Sequence, residues 1–351
     1  SDSAADRPQL LDLNYGRRWN RLWVTAANNI TWVDIAPLTG FDGDEIRHGR
    51  YPDWLKERAK KDPRFARDDE KPFRANGNTF DAAVADVDND GDFDIIVSEI
   101  THGWAGESAD RTRILFNRWK EAGRLDFETR PGFSLDRIPP DKPNWNQGDL
   151  FVGLFDFDND GYTDVLVSSG DYPDNQRLRI YQNIDGLSLR EVTAELGIDH
   201  DGSQQVSFAD IDGDGALDFA VGQTFFRYTA EMKKGRSPQL RVFLNRAAGD
   251  NHYLMLRLEG DPRTGVNRAA IGAVAIVEAG NRRLMGQLIP VGGHSGKQND
   301  YFLHFGLADA EMVDRLTVRW PGDVPADVFE KVTPGTYRLK QGGDLVPFSA
   351  D

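Results

Sequence analysis

Short apolar runs along this chain are separated by Gly, Asp, Asn and Pro, the punctuation of strands and turns, and long amphipathic helices are scarce. Residues 150–155 and 165–167, with the related runs 95–97 and 219–221, are almost uninterrupted apolar stretches. Such runs suit strands covered on both faces, as in the inner part of a layered repeat; ordinary sandwich strands are the alternative. A second kind of strand recurs as Arg113-Ile-Leu-Phe-Asn117, Arg179-Ile-Tyr-Gln-Asn183 and Arg241-Val-Phe-Leu-Asn245, with a fourth relative at Arg21-Leu-Trp-Val-Thr25. A third kind, at 30–34, 125–129 and 187–193, alternates apolar and polar residues as a half-exposed strand does. Residues 54–59 are expected to form a short helix.

These strands surround a repeated loop. Asp86-Val-Asp88-Asn-Asp90-Gly91-Asp92-Phe-Asp94, Asp156-Phe-Asp158-Asn-Asp160-Gly161-Tyr162-Thr-Asp164 and Asp210-Ile-Asp212-Gly-Asp214-Gly215-Ala216-Leu-Asp218 share carboxylates at positions one, three, five and nine and a glycine at six. One unit is therefore a strand into the loop, a strand out and two more, four short antiparallel strands that predict a propeller blade. Insertions at 45–74, 131–148 and 224–238 space the units unequally. They read as solvated surface excursions, with a partner-binding lid as the alternative for each; the first is locally basic. No aspartate loop precedes residues 21–25, so the chain is expected to start partway through a repeat. After Gly249 the loops stop and new alternating strands begin at 251–258, 273–277, 316–320 and 337–340. The expected organisation is all-β: propeller blades over 1–249, a smaller β-domain over 250–343 and a tail over 344–351.

The loop chemistry points to calcium. Six to eight hard oxygens in a flexible arrangement are what alternating Asp side chains, a backbone carbonyl and water supply from one tight turn, and magnesium is stricter about geometry. Asp86, Asp88, Asp90 and Asp94, Asp156, Asp158, Asp160 and Asp164, and Asp210, Asp212, Asp214 and Asp218 are the expected carboxylate ligands. Asp92, Tyr162 and Ala216 at position seven differ too much to act by side chain and are expected to contribute carbonyls. An EF-hand is excluded, because position twelve is Val97, Val167 or Val221 where that motif needs a bidentate Glu. Asp, Asn and Gly are also ordinary turn residues, yet four carboxylates in each of three copies repel one another without a cation. Three ions are expected.

Composition changes this picture little. The net charge of -15 excludes a general nucleic-acid binder, and three divalent ions would offset six of those charges. With no cysteine there is neither a disulfide framework nor a thiolate metal site. No apolar run reaches membrane-spanning length. The start, Ser1 to Asp6, lacks the regions of a signal peptide, so any such peptide is expected to have been removed.

With their flanks, residues 80–86, 155–156 and 208–210, the three loops resemble the FG-GAP/VCBS repeats of integrin-α-like propellers. The stretch comprising Asn267-Arg268, Ile271-Gly272-Ala273, Gly293 to Asp300, His304-Phe-Gly-Leu307, Val313-Asp314 and Val318-Arg-Trp-Pro321 is similar to an ASPIC/UnbV domain. The pairing resembles that of cartilage acidic protein and its bacterial relatives. The resemblance implies a protein that is secreted, on the cell surface or periplasmic, with calcium loops on the propeller, and it supplies no reaction. Ala269 stands where the family often has Asp, which implies a looser turn. Three full units and a partial one fall short of the four to eight blades that close a ring.

No catalytic constellation emerges. The six histidines are dispersed without zinc-hydrolase spacing. The segment 292–297, Gly-Gly-His-Ser-Gly-Lys, fits neither a nucleophile elbow nor a phosphate loop and reads as a turn. His304 is expected to be packed and hydrogen-bonded, and His102 with Trp104 is a weak candidate for a carbohydrate or partner contact. The expected function is a calcium-stabilised, non-enzymatic binding scaffold that associates with another protein subunit, an upstream propeller fragment or a glycan. A polysaccharide lyase or hydrolase built on the same propeller is the alternative. An incomplete ring leaves edges and apolar faces open, so stable association through the N-terminal unit is expected. Asn29-Ile-Thr31 is a glycosylation sequon if the source glycosylates secreted proteins.

Overall fold

A computed structural model describes residues 9–26, 30–46, 53–66, 77–137, 146–170, 177–289, 294 and 297–348. Asn29 of the sequon, parts of the 45–74 and 131–148 insertions including Trp145, residues 292–293 and 295–296, and the last three residues lie outside this set.

The described chain is mostly β. A first three-stranded sheet holds β1 (Gln9–Asp12), β2 (Arg21–Thr25) and β3 (Trp32–Asp34). Two four-stranded antiparallel units follow. The first is β4 (Thr79–Ala85), β5 (Asp94–Thr101), β6 (Arg113–Asn117) and β7 (Phe127–Glu128). The second is β8 (Gln147–Phe155), β9 (Asp164–Ser169), β10 (Leu178–Ile184) and β11 (Ser188–Glu191). Two pairs, Ile100↔Gly148 and Thr101↔Gln147, join these units into one eight-stranded sheet. A last three-stranded unit comprises β12 (Ser203–Ala209), β13 (Asp218–Gln223) and β14 (Arg241–Phe243). The hairpins β4–β5, β8–β9 and β12–β13 each carry a register shift near the start of their first strand, so the repeat extends to its irregularities. The helix expected at 54–59 spans Asp53–Ala59.

Units stack face to face, and alternation along a strand decides which neighbour each side chain meets. Ile95, Val97 and Leu115 pack toward Leu22 and Phe41 of the first region, while Ile96, Ile114 and Phe116 pack toward Val152, Val165 and Val167. Leu166, Leu178 and Ile180 then meet Phe208, Phe219 and Val221 of the next unit. With both faces covered, these strands need apolar residues at consecutive positions, which accounts for the unbroken runs. At the ends of the stack the rule fails: Leu240, Val242 and Leu244 are 73%, 51% and 49% exposed, and Trp32, Val33 and Leu38 are exposed at the other end.

At the end of the stack away from the aspartate loops lies a buried polar network. Asp149 accepts from Thr112 Oγ1 at 2.6 Å, Gln147 Nε2 at 2.8 Å, Ser169 Oγ and the Arg137 guanidinium. Burial alone would raise its carboxyl, but Arg137 and these hydrogen bonds bring it below the usual carboxylate value.

The C-terminal part has its own core. β15 (His252–Glu259), β18 (Leu303–Ala308), β21 (Gly335–Lys340) and β22 (Leu345–Pro347) form one sheet, ordered β18-β15-β21-β22. β16 (Val274–Ala279), β17 (Arg282–Gln287), β19 (Val313–Arg319) and β20 (Asp327–Val332) form the other, ordered β17-β16-β19-β20. Their shared cluster runs from Leu254 to Leu339 and includes Val277, Leu316 and Trp320. β22 extends the first sheet past residue 343. The turn expected to be loosened by Ala269 is closed: Asn267 Nδ2 donates to Ile271 O and Ile271 N to Asn267 Oδ1, both at 2.9 Å.

Candidate metal centres

Each aspartate loop joins the first two strands of its unit and folds by its own hydrogen bonds. The position-nine carboxylate accepts the position-two amide: Val87 N to Asp94 at 2.9 Å, Phe157 N to Asp164 at 2.9 Å and Ile211 N to Asp218 at 2.8 Å. The position-one carboxylate accepts the amide of the glycine at six, from Gly91 at 2.9 Å, Gly161 at 2.8 Å and Gly215 at 3.1 Å. Position five accepts the amide of position seven, so Asp92, Tyr162 and Ala216 each close a local turn. Two positive φ values per loop complete the wrap, at Asn89 and Gly91, Asn159 and Gly161, and Gly213 and Gly215.

The wrap gathers carboxylate oxygens within 4.8 Å of one another: those of Asp86, Asp88 and Asp90 in the first loop, Asp156, Asp158 and Asp164 in the second, and Asp210, Asp212 and Asp218 in the third. A further group joins Asp90 and Asp92 to Glu121, which the sequence reading missed. Burial and mutual repulsion oppose ionisation. Asp86 is pushed up to about 7 by burial and by Asp90 and Asp88, and Asp94 up to about 8, mainly by burial. Asp156 and Asp164 are raised well above the usual range by burial and neighbouring carboxylates, and Asp160 reaches about 6 mainly through burial. Asp86 is buried and its Oδ1 has no hydrogen-bond partner. An orphaned carboxylate oxygen beside two further carboxylates is a donor set with a place for a cation, so these residues fit a hard divalent ion.

Several residues that the sequence reading passed over hold the loops. Asn117, Asn183 and Asn245 lie at or just beyond the ends of the third strands, and their backbone amides donate to the position-nine carboxylates at 2.8, 2.7 and 2.7 Å. Asn183 Nδ2 also reaches back to Val87 O at 2.8 Å, and Asn245 Nδ2 to Phe157 O at 2.6 Å. In the forward direction Asn89 Nδ2 donates to Gly161 O at 2.9 Å and Asn159 Nδ2 to Gly215 O at 3.3 Å. Consecutive loops are thereby laced both ways. The terminal Asn of each Arg-x-x-x-Asn run was the visible signal, and it reads as a turn residue until the lacing is seen. The position-three carboxylate takes a different outer partner in each unit: Arg130 at 2.5 Å from Asp88, Gln182 at 2.6 Å from Asp158 and Arg246 at 2.6 Å from Asp212.

The C-terminal sheets lie directly on the loop face. A cavity of about 210 Å³ is lined by Asp86, Asp156 and Asp210, the first residues of all three loops, and roofed by Met255, Leu284 and His304 through Gly306. His304 Nε2 donates to Gly215 O at 3.0 Å, so this histidine links the C-terminal sheets to the third loop. His102 follows β5, and burial pushes its imidazole down to about 4; the side chain of Trp104 is outside the described set. Lys297, in the segment read as a turn, is buried and donates to Asp81 Oδ2 at 2.8 Å and Val152 O at 2.7 Å.

Comparison with known proteins agrees with the motifs. Residues 156–221 match the FG-GAP-like repeat family and residues 263–344 the ASPIC and UnbV family. FG-GAP repeats are typical of extracellular proteins. No curated protein matches the sequence. Among solved structures, the crystal structure of the V. cholerae biofilm matrix protein Bap1 aligns at 12% identity and a TM-score of 0.22, over 95% of this chain and 64% of that one. That likeness is too slight to carry an argument. The chain thus combines an FG-GAP-like repeat with a C-terminal ASPIC/UnbV domain.

Proposed function

We propose that this protein is an extracytoplasmic, calcium-stiffened scaffold that binds another protein or a glycan through its repeat units. The observation that carries the reading is the buried, partnerless Asp86 Oδ1 beside Asp88 and Asp90, in a loop grammar used three times. In each loop, oxygens of positions one, three, five and nine would hold the ion, with position seven contributing its carbonyl. Calcium suits this donor set better than magnesium because the loops offer many oxygens and little rigid octahedral order. The ion's part is to neutralise charges that otherwise oppose folding.

In this reading the units are propeller blades and the chain divides near residue 250. Face-to-face stacking of consecutive units supports the blades, and the separate cluster between Leu254 and Leu339 supports the division. The exposed apolar residues at the two ends of the stack are the surfaces offered to a partner subunit or further blades. Among the described residues no helix is long and apolar enough to cross a membrane. Native mass measurement of the purified protein tests the proposal: it expects three calcium ions per chain and a co-purifying partner. A calcium-free monomer would count against it.

A cleft of about 2030 Å³ between the repeat units and the C-terminal sheets favours a second reading. Its lining includes Tyr15, Asp92, Trp119, His294 and Asp323, and aromatic rings beside carboxylates are suited to a sugar chain. Binding alone satisfies the scaffold reading. Depolymerisation of a polysaccharide, abolished by changing Asp323, which lies outside the metal loops, would instead establish a carbohydrate-active enzyme.

A further inference from the structure

We infer that the second loop is a composite site, walled by the C-terminal domain, so that ion binding at 156–164 and docking of that domain reinforce each other. The inference rests on the reading that the loops hold calcium. Three successive carbonyls of this loop are held from across the domain boundary. Asp158 O accepts from Asn251 Nδ2 at 2.8 Å, Asn159 O from Ala308 N at 2.8 Å and Asp160 O from Arg282 Nη1 at 2.9 Å. These carbonyls belong to the residues that set where the position-three and position-five carboxylates point. The domain therefore fixes the shape of the cradle as well as covering it.

Contact is close because both sides lack a side chain at the crossing. A methyl carbon on Gly306 would overlap Asp156 Oδ2 and lie 2.5 Å from the backbone of Asn159, and one on Gly161 would lie 3.1 Å from Gly306 O. Gly306 sits within β18, opposite Tyr253, with no positive φ, so its own strand does not require glycine. Close approach to the loop does. The same crossing at the third loop is made by the ring of Tyr253 over Gly215.

Coupling between two binding events is reciprocal: whatever the docked domain adds to ion affinity, the ion adds to docking. Without an ion, the clustered carboxylates of Asp156, Asp158 and Asp164 repel, and a loop that relaxes from them withdraws the three carbonyls. The domain would remain tethered through Lys297, whose bonds to Asp81 and Val152 do not involve a loop. The release is accordingly local to the segments that hold the loop, Asn251 before β15, Arg282 at the start of β17 and Ala308 at the end of β18.

The test uses the full chain, calcium alone as the ligand, calorimetric titration, and hydrogen exchange with calcium or chelator. Wild type is expected to bind calcium and to lose amide protection at 303–308 on chelation, with the β16 and β19 core unaffected. Gly306→Ala is expected to weaken one calcium site about tenfold and leave the others unchanged, a coupling within the ordinary range. If Gly306→Ala disturbs protection of the β16 and β19 core, Arg282→Ala replaces it, with a loss of about threefold expected. Wild type that binds no calcium would refute the ion reading itself. Calcium binding that neither variant alters, with exchange at 303–308 indifferent to chelation, would overturn the coupling while leaving the ion reading intact.

Discussion

The second and third aspartate loops share a grammar and nearly identical internal hydrogen bonds, yet their surroundings differ. The second is buried at Asp156, Asn159 and Asp164 and roofed by the C-terminal sheets. The third is exposed at positions two to five, and Arg246 reaches both Asp212 and Asp214 at 2.6 Å. That guanidinium lowers the Asp212 pKa, whereas burial raises Asp156. Local sequence sets the loop's conformation; the neighbours set how strongly its carboxylates resist being charged.

Removing the ions should have the largest effect. At calcium about a hundredfold above the dissociation constant each site contributes ~2.7 kcal/mol, so three sites give roughly 8 kcal/mol. A chelator is expected to lower the melting temperature by about 15 °C or more. An unchanged melting curve would remove the basis of the comparison, since neither loop would then be a metal site.

Next in size is Lys297→Met, which leaves Asp81 buried without its cation and should cost about 3–5 kcal/mol. Asp81→Asn combined with Lys297→Met should recover most of the loss in urea unfolding. If the single variant is neutral, the tether holding the roof over the second loop lies elsewhere.

The comparison is probed directly by Asp156→Ala against Asp210→Ala, unfolded in urea with chelator present so that no ion contributes. Asp156 accepts the amides of Asp160 and Gly161 in a buried setting, and losing them should cost about 3 kcal/mol. Asp210 accepts those of Gly213 and Gly215 but is more open to water, which can replace it, so about 1 kcal/mol is expected. Equal losses would mean that enclosure does not matter.

The smallest effect is expected from Arg246→Ala. Taking a positive charge from beside the third loop should raise its calcium affinity a few-fold, because exposed pairs are worth about 0–1 kcal/mol, and the gain should shrink with salt. Gln182→Ala, its neutral counterpart at the second loop, should give no gain. Titration calorimetry at two ionic strengths distinguishes them.

The strands and loops were legible because both follow local rules: period-two alternation, apolar runs under two neighbours, and glycine where φ is positive. The roof over the second loop was not. Nothing in His304-Phe-Gly-Leu307 indicates that its glycine crosses a loop far earlier in the chain, because that need arises only when two backbones meet. Lys297 was obscured for a related reason, since flanking glycine and serine mark a turn whatever the lysine reaches. Asp81 left a weak trace: a charged residue in an otherwise apolar strand invites a search for its counter-charge. Glu121 left none, being an ordinary helical glutamate until Asp90 and Asp92 are brought beside it.

The asparagines that tie each loop to its neighbours give the loop face the mechanics of a laced seam. Asn183 pulls on the loop before its own and Asn159 on the loop after, so slack at the middle loop is felt on both sides, while slack at an end is felt on one. Unravelling should begin at the outermost eyelet and stall at the centre, so as calcium is withdrawn the third loop should loosen before the second.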